Sequence, residues 1–208
     1  MRLYSYYRST TSYRARIGLN LKGLTYDQVP INLLKGEQNG PAYTSVNPQG
    51  RVPALDIGGT VLIQSPAILE YLEEVYPEPA LLPADPVRRA RIRGVCAVIA
   101  CDVHPLNNSS SLAFLKNRLG QDQAAVDAWI AHWMHQGLGA VETLVEPGPY
   151  AFGDRVSLAD VHIVPQVFSA RRFKVPLDDY PKIVAIDAAC AAIDAFRAAA
   201  PENQPDAA

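Results

Sequence analysis

The sequence predicts a mixed α/β domain followed by an all-helical domain. Over residues 1–82, short apolar strand patterns alternate with helical ones, whereas only helical patterns follow from residue 86 onward. Between the two, the segment 76–86 contains four prolines, a composition typical of a stiff linker. We therefore expect one domain over residues 1–82 and a second over residues 86–208.

Four short segments of the first domain have the apolar and β-branched composition of strands. They are Leu3 to Tyr6, Tyr26 to Ile31, Val52 to Ile57 and Thr60 to Ile63. The last two flank Gly58-Gly59, a pair that is typical of a tight hairpin turn. The sequence therefore predicts a small sheet that ends in a hairpin.

Helix start and stop signals complete the first domain. The hydroxyl run Ser9 to Ser12 offers N-caps to a helix that ends at Gly23. Ser65 is the expected N-cap of a later helix with Pro66 at its first position. The predicted element order is β-α-β-α-β-β-α.

The second domain shows helical periodicity near residues 86–118, 123–145, 157–171 and 181–199. Pro105 should kink or break the first of these helices. The run Ser157 to Asp160 is a variant capping box with Asp in place of the usual Glu. Residues 201–208 have nothing evident to pack against, so we expect them to be frayed.

Composition and charge exclude several classes of protein. Hydrophobic residues make up 49% of the chain and charged residues 19%, as in ordinary globular proteins. The net charge of -2 lacks the excess of basic residues that is typical of nucleic-acid-binding proteins. No apolar run approaches the ~18 residues of a membrane span. Three cysteines without metal-ligand spacing, Cys96, Cys101 and Cys190, suit buried thiols of a cytoplasmic protein.

Three features of the first domain could carry chemistry, and each also has a purely structural explanation. The hydroxyl run after Arg8 could stabilise an anion such as a thiolate, or it could only cap a helix. Val52-Pro53 could form a cis peptide, or Pro53 could lie on an edge strand. Gln64-Ser65 could bind a carboxylate at a helix N-terminus, or Ser65 could be a cap alone.

The order and spacing of several motifs resemble the zeta class of glutathione transferases, which contains the maleylacetoacetate and maleylpyruvate isomerases. The motifs cover nearly the whole chain. They are Tyr6 to Ile17, Asn47 to Pro53, Gln64-Ser65 with Ile68 to Glu74, Leu81 to Pro83, His104 to Asn108, Ser157 to Asp160, Val164 to Val167, Arg172 to Val175, Tyr180-Pro181 and Gln204 to Asp206.

The resemblance implies a thioredoxin-like first domain, an all-α second domain and a glutathione site. Residues Ser9 to Ser12 align with the Ser-Ser-Cys-Ser motif of the class, and Ser9 should donate a hydrogen bond to the glutathione sulfur. Val52, ahead of an expected cis Pro53, should pair its backbone with the cysteinyl part. The other residues implied to bind glutathione are Thr10, Thr11, Gln38, Gln64, Ser65, His104, Asn108 and Ser110.

The implied activity is a glutathione-dependent cis-trans isomerisation of a maleyl dicarboxylate. Maleylacetoacetate, from aromatic amino-acid breakdown, is the leading substrate, and maleylpyruvate, from gentisate breakdown, is the alternative. A conjugating transferase and a non-catalytic glutathione-binding protein are the other hypotheses. Ser9 and Thr10 would act on the thiol and on the developing negative charge, and Arg8 and Arg172 would hold the carboxylates.

The resemblance also implies a homodimer, and it includes two departures from the zeta pattern. Thr11 stands where the class usually has cysteine, which puts in doubt any chemistry that uses a protein thiol. His104 stands where the class often has glutamine, and a histidine can titrate near neutral pH.

Overall fold

The computed structural model describes residues 1–207, which form two compact units. The first unit contains Met1 to Leu81 and the segment from Ala191 onward, and the second contains Leu82 to Cys190. The predicted second domain, residues 86–208, therefore differs from the observed one at its C-terminal end. The physical reason is that residues after 190 bond to the first unit, as described below.

The first unit is built on a four-stranded sheet in the order β2-β1-β3-β4. The strands are β1 (Arg2–Ser5), β2 (Asp27–Pro30), β3 (Ala54–Asp56) and β4 (Val61–Ile63). β1 pairs parallel to β2 and antiparallel to β3, and β3 pairs antiparallel to β4. The predicted Gly58-Gly59 hairpin is confirmed: both glycines have positive φ angles and both amides donate to Asp56 Oδ1.

Helices cover the sheet and confirm the predicted element order. They are α1 (Thr10–Leu21), the short α2 (Pro41–Thr44), α3 (Ser65–Val75) and, after the second unit, α10 (Asp194–Ala199). Leu3 of β1 packs with Leu19 of α1 and Ile68 of α3 in one buried cluster. Gly18 permits this close packing, because a Cβ there would lie 2.3 Å from Leu69 Cδ2. The opposite face of the sheet buries a second cluster that contains Tyr6, Tyr43 and Val52.

A buried ion pair closes the end of α1 onto α3. Lys22 Nζ lies 2.7 Å from Glu73 Oε2 and also donates to the Pro79 carbonyl. The Leu81 amide donates to both oxygens of Glu73. Removal of either charge would leave the other buried and uncompensated, so this pair fixes the chain where the first unit meets the linker.

The second unit is all-helical over residues 82–190. Its elements are α4 (Pro86–Ala97), a π-helical turn (Val98–Val103), α5 (His104–Asn107), α6 (Ser109–Asn117), α7 (Gln123–Leu144), α8 (Leu158–Arg172) and most of α9 (Pro181–Ala191). The predicted helix over 86–118 is interrupted before Pro105, as expected. The variant capping box is also confirmed, since Asp160 Oδ2 accepts from the Ser157 amide.

Three sequence expectations are wrong. Residues Pro201–Asn203 form a 3-10 turn, Pro201 and Gln204 are buried, and the segment is not frayed. Cys101 is exposed, whereas the other two cysteines are buried. The N-cap of α3 is Gln64 instead of Ser65, whose side chain makes no capping bond.

Among residues 1–207, no helix combines the length and apolar character needed to cross a membrane.

Candidate active site

The N-terminus of α1 presents a chain of hydroxyl groups. Ser9 is the N-cap, and its Oγ accepts from the Ser12 amide at 3.2 Å. Ser9 Oγ and Thr11 Oγ1 are 2.9 Å apart, and Thr11 Oγ1 donates to the Val52 carbonyl at 2.9 Å. A hydroxyl has one proton, and that of Thr11 is given to a carbonyl that can only accept. The Ser9 hydroxyl is therefore the donor in its hydrogen bond to Thr11 Oγ1.

The loop that carries Val52 is fixed by bonds to a single carbonyl. The Val52-Pro53 peptide is cis, which confirms the expectation drawn from the family resemblance. Just before it, the Arg51 carbonyl accepts from Tyr43 Oη and from Asn47 Nδ2, both at 2.6 Å. Val52 and Pro53 are themselves buried. The Val52 backbone is thus held from the α2 side as well as from Thr11.

Gly50 brings this loop against the turn that contains Gln38. Its φ of 62° lies in the left-handed region, and a Cβ there would lie 3.0 Å from the Gln38 carbonyl oxygen. The side-chain oxygen of Gln38 is buried and makes no hydrogen bond to the described residues. The close approach therefore leaves a buried acceptor beside the loop.

The N-terminus of α3 carries a second polar cluster. Gln64 has a φ of 70°, which costs roughly 1 to 3 kcal/mol for a residue other than glycine. Its Nε2 donates to Gln49 Oε1 at 2.7 Å. Ser65 is 1% exposed, and its hydroxyl has no hydrogen-bond partner among residues 1–207. A buried, unsatisfied hydroxyl beside the free amides of a helix N-terminus favours an anionic ligand.

Arg8 is held by aromatic rings instead of a carboxylate. Its guanidinium carbon lies 5.9 Å and 5.4 Å from the ring centroids of Tyr6 and Tyr7. Its Nη2 donates to Tyr6 Oη at 3.4 Å, and its Nε is buried without a hydrogen bond to a described residue. Cation-π contacts leave the donors of a guanidinium available for an anion.

Sequence-predicted residues lie in both units. The structure brings together Ser9, Thr11 and Val52, and Thr10 is buried beside them in the first turn of α1. The first unit also holds Arg8, Gln38, Pro53, Gln64 and Ser65. The second unit holds His104, Asn108, Ser110 and Arg172.

The four residues of the second unit lie at helix ends. His104 is the first residue of α5. Asn108 caps α6, because its Oδ1 accepts from the amides of Ser110 and Ser111 and from Ser110 Oγ. Arg172 is the last residue of α8, with its guanidinium carbon 4.4 Å from the Phe173 ring centroid. The Asn108 amide oxygen is thus already used in capping.

Sequence reasoning assigned no role to Arg16, which binds the end of β1 and the residues that lead into the hydroxyl cluster. Its guanidinium donates to Ser5 Oγ, to the Tyr7 carbonyl and to the Ala199 carbonyl, at 3.0, 3.0 and 2.9 Å. Burial lowers the pKa of Arg16 to about 10. Helical spacing could have indicated its burial. Arg16 follows Ser12 by four residues and precedes Leu19 by three, which places all three on the buried face of α1.

The chain is similar to known proteins over almost its entire length. Residues 1–74 match the family model for the N-terminal domain of glutathione S-transferases. The maleylacetoacetate isomerase of Pseudomonas aeruginosa is 56% identical over 99% of this chain and 98% of its own length. These figures cover both units of the structure.

Two solved structures extend the comparison. A holo maleyl pyruvate isomerase, described as a bacterial glutathione-S-transferase of the zeta class, has a TM-score of 0.98 at 52% identity over the full length of both chains. The maleylacetoacetate isomerase from Anaeromyxobacter dehalogenans, with glutathione bound in its active site, has a TM-score of 0.90 at 42% identity. That comparison covers 100% of this chain and 97% of the other.

Replacement of Tyr43 by Phe should destabilise the loop before Val52 in a pH-dependent way. Loss of the hydrogen bond to the Arg51 carbonyl should lower the free energy of unfolding by about 1 kcal/mol at neutral pH. Burial raises the pKa of Tyr43 to about 12. The folded state therefore favours the neutral phenol, so this stabilisation is complete below pH ~10 and is lost as the pH rises towards 12. Urea unfolding across this range measures it.

The matched control is Tyr71→Phe, since the Tyr71 hydroxyl makes no hydrogen bond to the described residues. Its free energy of unfolding at neutral pH should stay within ~0.5 kcal/mol of that of the unmodified protein. A Tyr43→Phe deficit that stays constant between pH 10 and 12 would contradict the pKa assignment.

Proposed function

The chain belongs to the zeta class of the glutathione transferase family, and we propose that it is a glutathione-dependent cis-trans isomerase of a small maleyl dicarboxylate. The observation that carries this proposal is the hydroxyl chain from Ser9 through Thr11 to the Val52 carbonyl at the N-terminus of α1. It places the Ser9 hydroxyl at the positive end of the α1 dipole, an environment that stabilises a thiolate.

Buried polar atoms of the first unit support a site for glutathione. The Ser65 hydroxyl and the Gln38 amide oxygen are buried without hydrogen bonds to residues 1–207. A peptide ligand with a carboxylate and an amine supplies an acceptor for the first and a donor for the second. Gln64 and Ser65 would hold the γ-glutamyl end, and Val52 would pair with the cysteinyl backbone.

The chain's own residues would then act on the thiol and on the dicarboxylate. When bound, glutathione supplies a thiolate that adds reversibly to the cis double bond, so that the bond can rotate. On binding, the Ser9 hydroxyl would turn its single proton from Thr11 Oγ1 to the sulfur, and this hydrogen bond would lower the pKa of the thiol. Thr10 or a backbone amide would stabilise negative charge on the substrate oxygen, and Arg8 and Arg172 would hold its carboxylates.

The substrate we favour is maleylacetoacetate, which would become fumarylacetoacetate. A relative with that named activity is 56% identical over nearly the full length of both chains. Maleylpyruvate is the second candidate, because the solved maleyl pyruvate isomerase matches this backbone with a TM-score of 0.98. The two substrates share the maleyl carboxylate, for which Arg8 is available in the first unit.

An assay with a catalytic amount of glutathione tests the proposal. The absorbance of maleylacetoacetate should fall over many turnovers while total thiol stays constant, because isomerisation regenerates glutathione. S-methylglutathione, which has no thiol, is the matched control and should support no turnover. Stoichiometric loss of thiol would indicate a conjugating transferase. No turnover of either maleyl substrate would leave only a binding role.

Arg8→Ala and Arg172→Ala should each raise KM for the dicarboxylate about 10- to 100-fold, since each removes charge-assisted hydrogen bonds of roughly 1.5 to 3 kcal/mol. Glutathione affinity, measured by calorimetry, should change little. Arg171→Ala is the matched control and should change neither quantity, because Arg171 pairs with Asp187 at 2.6 Å. An unchanged KM in both test variants would place the dicarboxylate elsewhere.

We also propose a cytoplasmic homodimer. The absence of disulfides among residues 1–207 suits a reducing compartment. Exposed apolar side chains are present in both units, with Leu34 in the first and Phe114 in the second. Light scattering should give about twice the mass of one chain, and the mass of a single chain would contradict the dimer.

A further inference from the structure

The last described residues bond to the strand end that leads into the hydroxyl cluster. The Tyr7 amide donates to Asp206 Oδ2 at 3.0 Å, and the Tyr7 carbonyl accepts from Arg16 Nη2 at 3.0 Å. Both backbone groups of one residue are therefore held by side chains of opposite charge. Tyr7 lies two residues before Ser9, between the end of β1 and the start of α1.

Asp206 is itself held in place by the first unit. Its Oδ1 accepts from Gln28 Nε2 of β2 at 3.1 Å. Upstream, Gln204 Nε2 donates to the carbonyls of Ala198 and Ala200, both at 2.8 Å. The Asp206 carboxylate is thus positioned from β2 on one side and from α10 on the other.

Arg16 ties the same point to α10. Its Nε donates to the Ala199 carbonyl, and its Nη1 donates to Ser5 Oγ of β1. Arg16 is fully buried, and these partners are neutral oxygen atoms. Burial lowers the pKa of Arg16, and the Asp206 carboxylate partly offsets this effect because its negative charge favours the charged guanidinium. The Asp206 carboxylate therefore stabilises the Arg16 charge, and both side chains hold the Tyr7 peptide groups.

The turn from Tyr6 to Ser9 transmits this constraint to the cap. The Ser9 amide donates to the Tyr6 carbonyl at 3.0 Å, so Tyr7 and Arg8 are the two central residues of a tight turn. When the Tyr7 amide and carbonyl are fixed, the turn has little freedom left, and the direction of the Ser9 hydroxyl follows from it. A displacement of about 1 Å at a catalytic group is enough to reduce a rate strongly.

We infer that Asp206, together with Arg16, is a positioning residue that orients the Ser9 hydroxyl towards the glutathione thiol. This inference rests on the proposed function, in which Ser9 donates to the sulfur. Hydrogen bonds to charged groups are shorter and stronger than neutral ones, so an amide-to-carboxylate bond is well suited to hold a backbone turn. Asp206 contacts neither the ligand nor the reacting atoms in this scheme.

The test is an ultraviolet titration of the thiol of enzyme-bound glutathione, which reads the thiolate without turnover. Asp206→Ala should raise the apparent pKa of the bound thiol by roughly one unit, a tenfold loss of acidity. Asp206→Asn keeps an oxygen acceptor for the Tyr7 amide and should recover more than half of that shift. Glu202→Ala, an exposed acidic residue of the same segment, is the matched control and should titrate like the unmodified protein.

A double-mutant cycle with Ser9→Ala separates positioning from general destabilisation. If Asp206 acts through Ser9, Asp206→Ala should add no further shift in the Ser9→Ala background. Additive shifts, or unchanged titration of Asp206→Ala, would overturn the inference. If Ser9→Ala alone leaves the thiol pKa unchanged, the proposed role of Ser9 fails instead.

A second variant covers the case in which Asp206→Ala does not fold. Gln28→Ala removes only the anchor of Asp206 Oδ1, so it should shift the thiol pKa upward by a smaller amount. Hydrogen exchange of the Tyr7 amide in the free protein should quicken in the same variant. An unchanged thiol titration in Gln28→Ala, with faster exchange at Tyr7, would also overturn the inference.

Discussion

The first unit depends on one buried guanidinium. Arg16 reaches from the middle of α1 to the end of β1 and to the last turn of α10. A buried charge without hydrogen bonds would cost several kcal/mol, so these oxygen acceptors have to stay in place for the unit to fold. Burial lowers the pKa of Arg16, but a value of about 10 leaves the group charged at neutral pH. The strand end, the helix and the returning segment are therefore fixed together.

The hydroxyl cluster follows this fixed strand end in the sequence. The direction of its hydrogen bonds is determined by the single proton that each hydroxyl can donate. Thr11 gives its proton to the Val52 carbonyl, so it can only accept from Ser9. Thr11 therefore fills a structural role at a position where the zeta class usually has cysteine. The bond to Val52 also joins the cis Val52-Pro53 loop to the N-terminus of α1.

Much of the fold could be predicted from the sequence because its signals are local. The glycine pair of the hairpin, the cap at Ser9 and the break before Pro105 all depend on neighbouring residues. The cis peptide at Pro53 could be expected only from the order of motifs along the whole chain, since local rules favoured an edge strand. Ser9, Gln64 and Ser65 could be proposed as site residues from the sequence, because hydroxyl and amide groups at helix N-termini can bind anions.

The contributions of Arg16 and Asp206 could not be derived from local patterns, because their partners lie 183 and 199 positions away in sequence. The return of the segment after residue 190 to the first unit could not be predicted for the same reason. A boundary drawn from composition follows the change from mixed to helical patterns, and it cannot show which sheet edge a later segment will reach. For that reason the end of the second unit and the order of residues 201–207 were missed.

The return of the last segment has a consequence for how the chain folds. The Ala199 carbonyl that accepts from Arg16 lies 183 residues further along the chain, so it leaves the ribosome long after β1 and α1 have been made. Closing a loop of that length has an entropic cost, and this cost is recovered only when the contacts to Ala199 form. The first unit therefore completes its interior only after the helical unit, which lies between its two parts in the sequence, has been synthesised.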